Sequence, residues 1–498
     1  MNQQVTTPDM LTELTKHLSL AESSMMRRAS KYIYRQHPTM AGFVKESRLS
    51  ETDHLNRTIL HIAATNGASM REIKHLIARM PSALTQQDHQ GRTPLHQALH
   101  YHPLKQVQAF ISLFTNETTQ HGRASLTILD NTGLSPLNSI MINRQINIEV
   151  VKLLALPEVL QMIDYLGRTP LHFALECVDT RPDVINIFIE RYPQALQIQD
   201  MLQKTPLQTY TTNQNLPFQG ISSKQEKLAS SKTLNLLATA FPDALSITDI
   251  DNNTPLMNAI IQNDFPTVQL LAERDPRTVN RRRTSLVQLG PSFWDFPLMY
   301  ALETMGDWQI IECLLNLTED DILNTTLDGR LLTPLHTLVM HTVENAGDIN
   351  NELFLVECFA DRSPAALTEV DHMGQTPLHY AVACMEYDLG NSAHQNRRIN
   401  AENGHIFVEI VRCLCERMKP VHGSDTDALL MKDNQGNTAL HSAVSNTNIC
   451  EYMYTIISSL AEKELRAIKM QNHTGKTPID IARDLGNQHV VDILEAYL

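Results

Sequence analysis

Six histidines of this 498-residue chain recur at one position of a short repeated motif, three residues after a threonine. They are His61, His96, His172, His336, His379 and His441. Imidazoles that a fold brings together can bind zinc. The threonine one helical turn away offers each ring a hydroxyl and backbone groups to bond, and other copies of the motif carry Asn, Gln, Met or Asp instead. The pattern therefore favours structural histidines over metal ligands, and we predict no metal and no cofactor.

A row of aspartates has the residue type for calcium binding or for acid–base catalysis. These aspartates stand five residues before the motif, at Asp53, Asp88, Asp130, Asp164, Asp200, Asp249, Asp328, Asp371 and Asp433. Neighbouring repeats of packed helices lie about 10 Å apart, which is too far for two carboxylates to share an ion. We interpret each aspartate as the residue that stabilises a turn through its side chain.

A phosphate-binding motif is present only in part. Gly475, Lys476 and Thr477 match the end of such a loop, but Met470 occupies a position that requires glycine and no strand is expected before it. The patterns H-E-x-x-H, G-x-S-x-G and G-x-G-x-x-G are absent from the sequence. We therefore predict that the chain is not an enzyme.

Two Arg-Arg-x-Ser strings resemble sites for basophilic protein kinases. They end at Ser30 and Ser285, and the second lies in a segment that we expect to be exposed. A phosphate on either serine would cancel the neighbouring positive charge. Because such strings also occur in ordinary solvated loops, both interpretations stay open.

The histidines and aspartates belong to one repeated unit. Copies of the motif begin at Thr58, Thr93, Ser135, Thr169, Thr205, Thr254, Phe296, Thr333, Thr376, Thr438 and Thr477. Glycine or asparagine, which enter positive φ readily, often stands two residues before the motif. The threonine hydroxyl can cap a helix whose first residue is proline, and a second amphipathic segment follows. Each unit is therefore predicted to fold as turn, helix, helix.

This unit resembles the ankyrin repeat, which has the signature T-P-L-H-x-A and a period of about 33 residues. The resemblance covers residues 51–498 and implies an all-α solenoid of about ten to eleven helix-turn-helix units joined by β-turn or hairpin loops. Spacings above the period predict insertions at about 211–231, 277–295 and 387–404. Residues 1–50 lack the signature and are predicted to form a helical segment that caps the array.

Charge and cysteine content restrict the class of partner and the compartment. The formal net charge of −14 argues against a nucleic-acid partner, whose phosphates need clustered basic residues, although Arg281 to Arg283 form one short cluster. The seven cysteines show no paired zinc spacing and indicate reduced thiols. The first residues lack the apolar core of a signal peptide and no membrane span is evident. We expect an intracellular protein of the cytoplasm or nucleus.

The resemblance implies a scaffold or adaptor that binds partner proteins through its concave surface and its hairpin tips. The alternative is a substrate-recruiting or regulatory subunit of an enzyme complex. The partner protein is unidentified and the oligomeric state stays open. The candidate contact residues are variable tip and inner-helix positions, namely His89, Gln90, His100, Tyr101, Asn131, Tyr165, Met201, Leu202, His372, Met373 and Tyr380.

Overall fold

The computed structural model describes residues 52–66, 70–101, 111–112, 120–142, 147–177, 181–212, 224–282, 296–304, 307–324, 331–344, 349–383, 404–418, 428–446 and 451–498. Within these ranges the chain forms α-helices and short 3-10 helices and no β-strand. An isolated antiparallel bridge joins Thr52 and Thr58. The all-α prediction is confirmed.

The chain divides into two compact units, Met1–Met201 (unit 1) and Leu202–Leu498 (unit 2). In unit 1 the described helices are α1 (Ile59–Asn66), α2 (Met70–Arg79), α3 (Pro94–Tyr101), α4 (Gln120–Ser125), α5 (Pro136–Ile142), α6 (Ile148–Leu154), α7 (Pro157–Leu160), α8 (Pro170–Glu176) and α9 (Pro182–Arg191). The helix that begins at a motif, here called the first helix of its repeat, packs on the first helix of the next repeat, because α1 contacts α3, α3 contacts α5 and α5 contacts α8.

Unit 2 continues the same alternation. Its described helices are α10 (Pro206–Thr212), α11 (Lys224–Ala240), α12 (Pro255–Ile261), α13 (Phe265–Arg274), α14 (Pro297–Glu303), α15 (Trp308–Leu317), α16 (Asp320–Leu323), α17 (Pro334–Glu344), α18 (Ile349–Arg362), α19 (Pro377–Ala383), α20 (Gly404–Arg417), α21 (Ala439–Ser445), α22 (Glu451–Lys463), α23 (Arg466–Lys469), α24 (Pro478–Asp484) and α25 (Gln488–Glu495). First helices again pack on first helices, from α10 to α24, and second helices on second helices, from α11 to α25.

The start of α8 shows how a first helix begins as its motif predicts. At α8 the Thr169 side chain accepts a hydrogen bond from the His172 N–H, and Pro170 is the first helical residue. Proline fits there because the first N–H of a helix has no partner within the helix. The following leucine, Leu171, is 1% exposed and forms part of the core between repeats. The capped start therefore directs the apolar face of the helix toward its neighbours.

Seven of the motif aspartates stabilise turns, as the sequence predicts, and Asp328 lies outside the described residues. Asp130 Oδ1 accepts the backbone N–H groups of Thr132 and Leu134 at 2.9 and 3.0 Å. Gly133 follows at φ 82°, in the left-handed region that glycine enters without strain. The same two acceptor bonds recur at Asp53, Asp88, Asp164, Asp249, Asp371 and Asp433. A carboxylate with these bonds is occupied by its own turn.

Arginines near the ends of the second helices join neighbouring repeats. In unit 1, Arg191 donates to the backbone carbonyls of Lys152 and Ala155 near the end of α6. In unit 2, Arg362 donates to the Thr318 carbonyl at 2.8 Å. The last carbonyls of a helix lack partners within it and carry partial negative charge, so a guanidinium is a favourable partner. These bonds fix the second helices against each other.

The structure describes only the ends of the three predicted insertions, and it shows helix there. Thr211 and Thr212 belong to α10, and α11 already begins at Lys224. A 3-10 helix, Pro276–Thr278, overlaps the start of the second insertion, and α20 begins at Gly404, the last residue of the third. The polar and Asn-rich compositions suggested loops, but helices extend into these ends. The remaining parts of the insertions and residues 1–50 lie outside the described residues.

The repeat that begins at Thr477 has a largely polar exterior. Its motif carries Asp480 in place of the histidine, and Asp480 Oδ2 accepts hydrogen bonds from the Thr477 N–H and hydroxyl at 2.9 and 2.7 Å. Arg483, Asp484 and Gln488 are exposed. The Asp480 side chain is partly exposed, so its charge stays in contact with water, whereas the histidines of the preceding repeats are buried.

Candidate protein-interaction surface

The tips of neighbouring repeats are joined by a ladder of backbone hydrogen bonds. Here a tip is the motif's aspartate with the three residues that follow it. In unit 1 the Asn131 N–H donates to the Gln90 carbonyl and the Met201 N–H to the Leu166 carbonyl, both at 2.9 Å. Four further bonds have the same geometry, His89 to Leu55 in unit 1 and Ile250 to Leu202, Asn434 to Met373 and His473 to Gln435 in unit 2. The ladder holds tip side chains at fixed spacing.

Where a tip carries glycine and another tip follows it, the residue after the next aspartate, or after Asn472, covers that glycine at Gly91, Gly133, Gly167, Gly374 and Gly436. The Tyr165 ring lies against Gly133, where an added Cβ would stand 2.8 Å from the ring. The Tyr165 hydroxyl donates to the Asp130 carbonyl at 3.4 Å. Asn131 makes the equivalent contact with Gly91 and donates through Nδ2 to the His89 carbonyl at 3.1 Å. These side chains are thus held in place on one side and open to solvent on the other.

The histidines of the motif join each repeat to the next through hydrogen bonds on both sides of the ring, an arrangement here called a histidine tie. His96 Nδ1 accepts from the Thr93 N–H at 3.1 Å and lies 2.9 Å from the Thr93 hydroxyl. On the other side of the ring, Nε2 donates to the Leu134 carbonyl in the following repeat at 3.1 Å. The same three contacts occur at His61, His336, His379 and His441. The predicted bond to threonine is confirmed, and the tie to the next repeat adds to it.

Capped first helices, aspartate turns and histidine ties therefore form one unit that recurs along the chain. The chain has the ankyrin-repeat fold. No family model matches the sequence, and no curated protein matches it. Among solved structures, the chain is similar to a crystal structure of an ankyrin repeat protein, with 18% sequence identity and a TM-score of 0.35, over 49% of this chain and 97% of that chain. The assignment of the ankyrin fold rests on the geometry of the repeats themselves.

The structure gives the exposure of most predicted contact residues of the ankyrin repeats. Gln90 is half-buried, and the side chains of His100 and Tyr101, both in α3, lie outside the described ones. Ser30 and Ser285, the predicted phosphorylation sites, also lie outside the described residues. The exposed residues are His89, Asn131, Tyr165, Met201, Leu202, His372 and Met373.

Tyr380 differs from the other predicted contact residues, since its polar group is engaged within the fold. Its hydroxyl donates to Asp371 Oδ2 at 2.9 Å, and its ring meets the His336 ring edge-on with 5.4 Å between centroids. The side chain is half-buried. Gln97 and Asn258 bond the aspartates of their own turns in the same way. The fifth residue of the motif, counted from the threonine, thus donates to the aspartate of its own turn. In Tyr380 only part of the ring is exposed to solvent.

An apolar patch lies on two adjacent tips of unit 1 and on Ile163, the residue before one of them. Ile163, Tyr165, Leu166 and Met201 are 55%, 60%, 47% and 66% exposed. Motif position predicted Tyr165 and Met201 as contact residues but not Ile163 and Leu166, although both are apolar residues within two positions of a turn aspartate. The Asp164 carboxylate beside them is buried and bonded to Arg168 and to its own turn. The patch consequently presents apolar side chains without a free carboxylate.

The described residues offer no assembled site for metal chemistry. Among them, no group of three or more His, Cys, Asp or Glu side chains is arranged to hold a metal ion. Burial raises the pKa of the Cys413 thiol to about 11 and that of Cys415 to about 12, so both stay protonated at neutral pH. Among all the residues that the structure describes, no helix is long and apolar enough to cross a membrane.

Proposed function

We propose that this chain is a scaffold that binds partner proteins through the exposed tips of its ankyrin repeats. The observation that carries the proposal is the apolar patch of Ile163, Tyr165, Leu166 and Met201 on tips that a backbone ladder holds in place. Exposed apolar clusters of this kind characterise interaction sites, and tyrosine and methionine are enriched at protein interfaces.

Prior ordering of the tips supports binding. A partner that contacts Tyr165 meets a ring already packed against Gly133, so little side-chain entropy is lost when the complex forms. Met201 is held through its backbone by Leu166 while its flexible side chain stays free to adapt to the partner. A fixed aromatic beside an adaptable thioether is a combination that suits recognition of an apolar protein surface.

The test is a double substitution, Tyr165→Ser with Met201→Ser, in the full chain. Proteins captured from the native cell lysate are quantified by mass spectrometry on the wild-type chain and on this variant. We expect a specific partner to be captured at least about tenfold less by the variant, because two interface anchors are lost. An enzyme among the lost partners would identify the chain as a recruiting subunit.

The matched control is Leu485→Ser, which removes another half-exposed apolar side chain far along the sequence, in the last repeat. It should capture the same partners as the wild type. Urea unfolding must give equal midpoints for all three proteins, so that a loss of capture reports on the surface and not on the fold. Equal capture by all three would contradict the proposal.

A further inference from the structure

The hydrogen bonds around each motif histidine determine where its proton lies. A backbone carbonyl can only accept, so the Nε2 of His96, 3.1 Å from the Leu134 carbonyl, must carry the hydrogen. A backbone N–H can only donate, so Nδ1, 3.1 Å from the Thr93 nitrogen, must be unprotonated. His336 has the same arrangement, with Nε2 3.0 Å from the Gln375 carbonyl and Nδ1 3.2 Å from the Thr333 nitrogen. Both rings are therefore neutral in the folded chain.

We infer that these histidine ties form an acid-sensitive device, in which a second proton on the ring releases one repeat from the next. A proton on Nδ1 would point at the backbone N–H of the capping threonine, which cannot turn away. The Thr93 hydroxyl, 2.9 Å from Nδ1, can rotate to accept that proton, but the repulsive N–H contact and the buried charge then favour departure of the ring from its place between the two repeats. His96 is 1% exposed and His336 0%, so neither ring reaches water unless the repeats separate.

The charges around the two rings do not offset the lowering of the histidine pKa by burial. Asp88 and Asp130 favour a positive His96 and Arg92 opposes it, while burial dominates and lowers the pKa of His96 to about 4. For His336, Asp371 favours the charged ring and His379 opposes it, and burial again lowers the pKa to about 4. The ordinary pKa of histidine is 6.5. Because the open state takes up protons that the closed state excludes, the ties are fully stabilising above pH 6.5 and weaken as the pH falls from 6.5 toward 4.

Release of a tie also affects the tip of the next repeat. The Leu134 carbonyl that accepts from His96 also accepts from the Asp130 N–H at 2.9 Å, at the base of the turn. The Gln375 carbonyl likewise accepts from the Asp371 N–H at 2.9 Å. Each histidine thus anchors the base of the following tip.

One repeat has the same tie without a titratable ring. Gln208 Oε1 accepts from the Thr205 N–H at 2.8 Å, and Nε2 donates to the Asn253 carbonyl of the next repeat at 3.0 Å. The amide thus reproduces both bonds of the histidine and does not change its charge with pH. Glutamine is therefore the substitution that retains the tie and removes its response to acid.

The experiment measures amide hydrogen exchange of the full chain at pH 7.5 and pH 5.0, corrected for the intrinsic pH dependence of exchange. In the wild type, we expect local opening of α3 and α17 to increase about thirtyfold at pH 5.0, given a closed-state pKa of about 4 and an open-state pKa of about 6.5. His96→Gln should abolish the increase in α3, and His336→Gln that in α17. Gln208→His should introduce a new increase in α10.

The control is His89→Gln, which changes an exposed histidine on a tip and should leave the response of α3 unchanged. The inference is wrong if His96→Gln retains the wild-type increase in α3. A second measurement does not depend on the variants. Imidazole nitrogen NMR of the wild type should show His96 and His336 as neutral rings protonated at Nε2 at pH 5.0, and titration of either ring near pH 6.5 in the folded chain would overturn the inference.

Discussion

Replacing Leu171 with aspartate is expected to unfold the repeats of unit 1. Leu171 is 1% exposed, at the start of α8, where α8 packs on α5. The substitution removes a buried apolar side chain and places a carboxylate there without a partner, which costs about 4 kcal/mol or more. Far-UV circular dichroism during urea unfolding should show the loss of helix in the variant at urea concentrations where the wild type is folded.

The matched control is Leu166→Asp in the same repeat. Leu166 is 47% exposed on the tip, so its replacement should change the free energy of unfolding by only about 0.5 kcal/mol. Equal destabilisation by the two variants would contradict the assignment of Leu171 to the core and of Leu166 to the surface. The control also bears on the proposed function, because Leu166→Asp should reduce partner capture while the fold is retained.

The local structure of each repeat could be predicted because its causes lie within a few residues. Asp371 and Gly374 belong to one turn, and the carboxylate bonds two backbone N–H groups of that same turn. The capping of α8 by Thr169 involves the helix it begins. Such interactions depend on residue type and spacing, both of which the sequence shows directly.

The contacts between repeats could be predicted only in part. The sequence indicated that His96 bonds Thr93, but the second bond joins His96 to the Leu134 carbonyl, and a carbonyl has no signature in sequence. The donation of Arg362 to the Thr318 carbonyl escaped prediction for the same reason. Both bonds depend on how far apart the stacked helices lie. That distance is set by the packing of many side chains together.

The exposure of the candidate contact residues could also be predicted only in part. Turn position predicted that Tyr165 and Met201 would be exposed, and both are. Inner-helix position suggested Tyr380, whose hydroxyl is instead bonded to Asp371. A tyrosine at this position of the helix can point either to solvent or to the aspartate of its own turn. The outcome depends on whether another side chain already occupies that carboxylate, as Arg168 does at Asp164.

The second large effect is expected from Gly436→Ala, compared with Gly475→Ala. Both glycines lie at the same tip position, at φ 80° and 77°. An alanine at either site bears the strain of positive φ, about 1 kcal/mol. A Cβ on Gly436 would also stand 2.6 Å from the His473 backbone nitrogen, whereas a Cβ on Gly475 would meet nothing within 4 Å. The His473 N–H donates to the Gln435 carbonyl, so the extra methyl group must displace a bond of the tip ladder.

We therefore expect Gly436→Ala to lower the free energy of unfolding by about 1–3 kcal/mol more than Gly475→Ala does. Both tryptophans of the chain, Trp294 and Trp308, lie in unit 2, so their fluorescence during urea unfolding follows the unit that contains the two glycines. Equal losses for the two variants would show that backbone strain alone determines the cost. A larger loss at Gly436 would show that the tips of successive repeats support one another, since the two positions differ in whether another tip covers the glycine.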